Sequence, residues 1–77
     1  MHALTATWFA QLATIRGCRS ESVTLESGET LAALYARLIP EPRRVPVRFA
    51  VDDVWATGDT PARPGTVVLF LPPVGGG

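Results

Sequence analysis

The chain has 77 residues, the size of one small domain, and its formal net charge is +0. This balance argues against binding to nucleic acid or anionic membranes, where a surplus of basic residues does the electrostatic work. Hydrophobic residues make up 47% of the chain, too many for a disordered protein. No stretch approaches ~20 apolar residues, so no membrane span is predicted.

The cysteine count and the first residues indicate the compartment. Cys18 is the only cysteine, so an internal disulfide is excluded and a reducing environment is expected. The start of the chain lacks a charged region followed by a long apolar run, and therefore does not resemble a secretory signal. We expect a cytoplasmic protein.

Lysine is absent, and all seven basic residues are arginines. The chain therefore offers no side-chain amine to which the activated carboxylate of another chain could be joined.

The N-terminal third predicts two strands. Residues 3–11 alternate between two faces and fit a first strand. Residues 12–17 fit a turn or a helical loop that ends at Gly17, and residues 22–26 fit a second strand that pairs with the first.

One convincing helix is predicted over residues 30–39, because apolar residues recur there at helical spacing. The apolar stripe consists of Leu31, Leu34, Tyr35 and Leu38. Glu29 lies where a negative charge suits a helix N-terminus, and Pro40 ends the helix. Arg43 and Arg44 are expected to be solvated.

Three further strands are predicted in the C-terminal half. Residues 47–51 form one strand, a turn at residues 52–53 follows, and residues 54–56 run back. Residues 57–65 are rich in glycine and proline and fit a surface loop. Residues 66–71 are almost continuously apolar, which predicts a central strand covered on both sides.

This order of elements predicts an α+β domain in which a mixed sheet of about four to five strands packs on one main helix. The first and last strands are the most apolar, so we place them side by side in the centre of the sheet. In a β-grasp (ubiquitin-like) arrangement these two strands run parallel. The predicted division is a β-grasp domain over residues 1–72 and a flexible glycine tail over residues 73–77.

The chain ends in three glycines after a proline pair. Pro72 and Pro73 end strand pairing and form a stiff stem, and the glycines have no side chains that would obstruct a narrow channel. The reactive group that such an arm delivers is the carboxylate of Gly77. A carboxylate becomes a useful electrophile after conversion to an acyl adenylate, from which an attacking sulfur would leave a thiocarboxylate.

Two stretches resemble a known family. One is Trp8-Phe9-Ala10-Gln11-Leu12. The other runs from Phe49-Ala50-Val51-Asp52 through Asp59-Thr60-Pro61 and Gly65 to the Leu71-Pro72-Pro73-Val74-Gly75-Gly76-Gly77 ending. Together they are similar to the ubiquitin-like sulfur carriers, and most closely to the small subunit of molybdopterin synthase. The ending is the specific part of the match.

The resemblance implies a carrier without chemistry of its own and without a tightly bound cofactor. An E1-like activating enzyme uses ATP to adenylate Gly77, and a sulfurtransferase system converts it to a thiocarboxylate. The carrier then docks with the large synthase subunit, in a heterotetramer. Its sulfur passes to cyclic pyranopterin monophosphate during molybdenum cofactor biosynthesis.

The resemblance also assigns site residues. Gly77 and Gly76 take part in the chemistry, Gly75 passes through the channel, and Phe9, Leu71 and Val74 lie where the family docks through apolar surface. Pro72 and Pro73 aim the arm. Phe9 has an alternative role as a core residue, although Trp8 and Phe9 point to opposite faces and one helix covers only one of them.

Other residues are assigned to the scaffold. Trp55 is expected to pack at the sheet edge, and Asp52 and Asp53 to form a solvated turn. No metal site is predicted, because no second cluster of ligating residues exists.

Three other functions remain open. The chain could carry sulfur for thiamine, cysteine or tRNA thiolation, although thiamine carriers usually lack the proline pair. It could be a ubiquitin-like modifier joined to lysines of other proteins. It could also be a β-grasp interaction module whose tail has no role. A free-standing enzyme is not expected, because no nucleophile–base pair or phosphate loop is found.

Overall fold

A computed structural model describes residues 2–73 and contains five strands and two helices in this part of the chain. In chain order these are β1 (Ala3–Trp8), α1 (Gln11–Arg16), β2 (Ser20–Thr24), α2 (Leu31–Leu38), β3 (Arg48–Val51), β4 (Val54–Ala56) and β5 (Val67–Leu71).

The five strands form one mixed sheet in the order β2-β1-β5-β3-β4. Strands β1 and β5 are parallel neighbours in its centre, with Thr5 opposite Val67 and Trp8 opposite Phe70. The other three pairings are antiparallel. This confirms the predicted β-grasp arrangement, including the adjacent first and last strands.

One face of the sheet is buried against the helices. Alternate residues of β1 and β5 point into this core, because successive side chains of a strand face opposite sides. The buried residues of these two strands are Leu4, Ala6, Trp8, Val68 and Phe70.

Helix α2 supplies the opposing layer. Its residues Leu31, Leu34 and Tyr35 are buried, which confirms most of the predicted apolar stripe; Leu38 is half-buried. The Thr30 side chain caps the helix by accepting a hydrogen bond from the Ala33 amide at 3.1 Å.

Aromatic rings join the two layers. The ring of Phe70 stacks on Trp8 at a centroid distance of 4.4 Å and on Tyr35 at 6.0 Å. Phe49 contacts Phe70 edge-on at 5.7 Å. The centre of the core therefore lies under the last residues of β5, close to the point where the chain leaves the sheet.

The first strand ends earlier than predicted, at Trp8 instead of Gln11. The cause is Ala10, whose φ of 54° and ψ of −133° break the extended backbone and start α1. The helical alternative predicted for the next segment is confirmed, and Gly17 ends α1 in the left-handed conformation with φ 77°.

The boundaries of three other strands also differ, and β5 begins at Val67, one residue later than predicted. Strand β2 begins at Ser20 and ends at Thr24, two residues before the predicted range at each end. Strand β3 begins at Arg48, one residue later than predicted.

The prediction that β5 is covered on both sides is wrong. Val68 and Phe70 are fully buried, but Val67 is 43% exposed and Leu69 and Leu71 are half-buried. Both faces of β5 are apolar although the helices cover only one.

Arg44 differs from expectation, and Glu29 has a partner that was not expected. Arg44 is not simply solvated, because its guanidinium donates to the carbonyl oxygens of Ile39 (2.8 Å) and Ala36 (2.9 Å) near the end of α2. The Glu29 side chain is only 5% exposed and forms a bidentate pair with Arg37, at 2.7 and 2.9 Å.

The backbone of Ala10 generates a stability prediction. A non-glycine residue at this φ is strained by about 1–3 kcal/mol, and glycine is not. Ala10→Gly should therefore raise the free energy of unfolding by about 1 kcal/mol, measured by urea denaturation. Ala36→Gly, at an exposed position inside α2, is the matched control and should lower it by about 1 kcal/mol. A lower free energy of unfolding in Ala10→Gly would show that the backbone at Ala10 is not strained.

The buried Glu29 generates a pH prediction. Hydrogen bonds from Arg37 lower the pKa of Glu29, and bonds from Arg16 lower the pKa of Glu21. Because these pKa values lie below those of the unfolded chain, the two pairs stabilise the fold above the unfolded value of about 4.3. That stabilisation is lost as the pH falls through the lower, folded-state values.

Chemical denaturation between pH 7 and pH 2 measures how the free energy of unfolding depends on these pairs. Glu29→Gln should lower stability at pH 7 by about 1–2 kcal/mol and make the acid dependence shallower. Glu41→Gln, which removes a pair whose carboxylate side chain is 74% exposed, should change stability by less than about 0.5 kcal/mol. If both substitutions lowered the free energy of unfolding at pH 7 equally, the buried pair would not be more stabilising than the exposed one.

Candidate functional site at the ends of strands β1 and β5

The candidate site lies where the two central strands end. Because β1 and β5 are parallel, their carboxyl ends meet at the same edge of the sheet. The Phe9 amide extends the pairing by donating to the Phe70 carbonyl oxygen at 3.3 Å. The predicted docking residue Phe9 therefore lies beside the strand that leads into the proline pair.

The structure divides the proline pair. Pro72 is buried and Pro73 is exposed. Pro72 therefore belongs to the folded body, and the chain departs from it at Pro73. Leu71, the residue before the pair, is half-buried and lies opposite Arg48 of β3.

Of the predicted site residues, four are brought together at this edge: Phe9, Leu71, Pro72 and Pro73. The other four, Val74, Gly75, Gly76 and Gly77, lie outside the described residues.

The sheet face opposite the helices, here called the open face, begins at this edge. The strand registers place Thr7, Leu69, Ala50 and Trp55 in one row across it. Val67 and Leu71 lie on either side of Leu69 along β5. The centre of the open face is thus apolar, in keeping with the exposed patch predicted from the opposite orientations of Trp8 and Phe9.

Phe9 itself is 39% exposed, so it is not a core residue. It lines an open groove of about 650 Å³ between the end of β1 and helix α1. Ala10, Ala13, Cys18 and Arg19 also line this groove.

Cys18 is not placed as a nucleophile. Burial and the nearby Glu21 carboxylate raise the pKa of its thiol, which disfavours the reactive thiolate. Glu21 is itself engaged: Trp8 donates to it from the indole nitrogen at 2.7 Å, and Arg16 donates at 2.7 and 3.0 Å. This network fixes the end of β1 against the start of β2.

Trp55 lies at the sheet edge, on strand β4, as expected, but 59% of it is exposed. The guanidinium carbon of Arg48 lies 4.2 Å from the centroid of its ring. Arg48 was not among the predicted site residues. The alternation of β3 could have placed its side chain on the open face, but its contact with Trp55 follows only from the β3–β4 register.

No group of three or more histidine, cysteine, aspartate or glutamate residues within residues 2–73 is placed to hold a metal ion. In the same part of the chain, neither helix has the length and apolar character needed to cross a membrane.

Several solved structures share this fold at low sequence identity. A Pyrococcus furiosus protein described as subunit 1 of a molybdopterin converting factor is 20% identical, with a TM-score of 0.74 over 96% of this chain and 100% of its own. Small archaeal modifier protein 1 of Haloferax volcanii is 18% identical, with a TM-score of 0.71 over 96% of this chain and 100% of its own. The HVO 2177 protein of Haloferax volcanii is 19% identical, with a TM-score of 0.75 over 97% of this chain and 86% of its own.

A comparison with curated proteins gave no match. The sequence profile of the ThiS family, in contrast, matches residues 7–77, which is nearly the whole chain. The chain belongs to the ThiS family of ubiquitin-like proteins.

Proposed function

We propose that this protein is a sulfur carrier and the small subunit of a molybdopterin synthase. In this proposal the carboxylate of Gly77 is adenylated, is converted to a thiocarboxylate and donates its sulfur to cyclic pyranopterin monophosphate.

The observation that carries the proposal is the position of the chain's exit from the sheet. Strand β5 is central and parallel to β1, and Pro72 is buried in the body. The Pro73–Gly77 segment therefore starts from a fixed point beside Phe9 and Leu71. Glycines in its last three positions suit entry into a partner's narrow active site, because they have no side chains.

The chemistry is divided between the chain and its partners. The Gly77 carboxylate attacks the α-phosphate of ATP and releases pyrophosphate, and a sulfur nucleophile then displaces AMP from the acyl adenylate. Both steps take place in the active sites of an E1-like activating enzyme and its sulfurtransferase system. The carrier supplies a positioned carboxylate and a docking surface, and its own side chains perform no step.

The partners in this proposal are the activating enzyme and the large synthase subunit, which forms a heterotetramer with the carrier. Docking is assigned to the apolar open face together with Phe9 and Leu71. An exposed apolar surface of this kind on a small domain is typical of an interaction site. We place the reaction in the cytoplasm, where a free cysteine stays reduced.

The modifier alternative has its own support, because small archaeal modifier protein 1 shares the fold. In that alternative Gly77 would be joined to lysines of other proteins. Copies of this chain could not be linked to one another through side-chain amines, because the chain has no lysine.

Intact-mass spectrometry of protein from its own cells tests the carrier chemistry. A fraction should be about 16 Da heavier than the unmodified chain, as sulfur replaces one carboxylate oxygen. Deleting Gly77 should abolish this species and molybdoenzyme activity, while circular dichroism and thermal unfolding remain those of the wild type. If the deletion variant still supported molybdoenzyme activity in vivo, the proposal would be wrong. Recovery of the chain joined to lysines of other proteins, without a thiocarboxylate form, would favour the modifier.

Calorimetric titration with the large synthase subunit of the same cells tests the docking surface. Phe9→Asp should weaken binding by about tenfold or more, because it places a charge in an apolar contact. Val54→Asp is the matched control, since Val54 is 67% exposed on edge strand β4 and lies away from Phe9. We expect a change of less than about twofold for this control. Equal weakening by both variants would argue against a role for Phe9 in docking.

A further inference from the structure

Arg48 lies beside the base of the arm. It is the first residue of β3, and its Cα partner is Leu71, the last residue of β5. Arg48 is exposed, and strand alternation puts its side chain on the same face as that of Ala50, which is opposite Trp55. The Arg48 guanidinium is thus a cation on the open face, and its backbone is paired with the residue that precedes the buried Pro72.

Trp55 holds this cation in place. The guanidinium carbon lies 4.2 Å from the centroid of the indole ring, which is within the range of a cation–π contact. A guanidinium held over a ring keeps the N–H groups that point away from the ring available to an acceptor. Contact with the exposed tryptophan therefore restrains the arginine and leaves donors for a ligand.

Arg48 differs from the arginines that stabilise the fold. Arg16, Arg37 and Arg44 each form an ion pair with a glutamate of this chain. Within residues 2–73, Arg48 has no carboxylate oxygen within 4.0 Å and forms no side-chain hydrogen bond.

None of the three aspartates within residues 2–73 pairs with Arg48. Asp52 and Asp53 form the turn after β3, at the other end of that strand, and Asp52 accepts a hydrogen bond from the Val67 amide at 2.9 Å. Asp59 accepts a hydrogen bond from the Thr57 hydroxyl. Arg48 thus lies at one end of β3, and two aspartates lie just beyond the other end.

A protein that encloses the arm must also lie over the surface at its base. Covering a guanidinium without an acceptor is strongly unfavourable, because the charge loses its hydration and gains nothing in return. A carboxylate matches the planar fork with two parallel hydrogen bonds.

We propose that Arg48, held by Trp55, is a carboxylate-binding site that takes an aspartate or glutamate of the E1-like activating enzyme. This inference rests on the proposed function and deepens it. The acidic side chain lies beside the mouth of the channel that receives the arm, and the pair sets the orientation of the carrier on the enzyme.

ATP–pyrophosphate exchange catalysed by the E1-like activating enzyme of the same cells tests the inference, with the carrier concentration varied. Arg48→Glu should raise the KM for the carrier by about tenfold or more and leave kcat unchanged, because the arm itself is intact. Arg48→Lys should raise KM by about threefold, since it keeps the charge but loses the fork and the stacking. Trp55→Ala should raise KM by about threefold as well, because the cation is no longer held in place.

Arg63→Glu is the matched control. It makes the same change of charge in the loop before β5, near the start of β1 and away from the arm, and should change KM by less than about twofold. The wild-type KM should rise with ionic strength, and this rise should be smaller for Arg48→Glu. Thermal unfolding checks that each variant is folded.

The outcomes separate the two claims. If the wild-type carrier supports no exchange, the proposed function fails and the inference fails with it. If the wild type is active but Arg48→Glu keeps its KM within twofold, or if Arg63→Glu raises KM equally, the inference alone is overturned.

Discussion

The parallel pairing of β1 with β5 is the constraint on which the rest of the structure depends. It joins the two ends of the described chain in the centre of the sheet, so neither end is left at an edge. Parallel strands end at the same edge, and this brings Phe9 and Leu71 together although 62 positions separate them in the sequence. The site is therefore a product of topology more than of any local motif.

The core is arranged to support the same edge. Trp8, Phe70 and Tyr35 stack in succession, and Phe49 closes the cluster from β3. Much of the hydrophobic stabilisation is thus concentrated under the last residues of β1 and β5, since large aromatic side chains bury the most apolar area. The base of the arm therefore lies over this aromatic cluster.

Much of this fold could be predicted from the sequence. The spacing of Leu31, Leu34 and Tyr35 defined α2, and the apolar character of the first and last strands placed them together in the centre. These features depend on local periodicity and on the burial of apolar surface, both of which a single sequence records.

Other features could not be predicted, because they depend on tertiary context. Nothing local required Ala10 to adopt a positive φ, yet that residue ends β1 early. The Glu29–Arg37 pair joins residues eight positions apart, across the first two turns of α2 and the loop before it. The contact of Arg48 with Trp55 requires the β3–β4 register. The apolar sequence of β5 predicts two covered faces, because an exposed apolar face and a buried face have the same composition.

The burial of Pro72 limits how far the Gly77 carboxylate can reach from the folded body. With Pro72 fixed in the body, the five residues Pro73–Gly77 span at most about 18 Å when fully extended. An enzyme that acts on the Gly77 carboxylate must therefore place its reacting atoms no deeper than this below the surface that contacts Leu71. The same upper limit would apply to every partner that acts on the Gly77 carboxylate, whatever its chemistry.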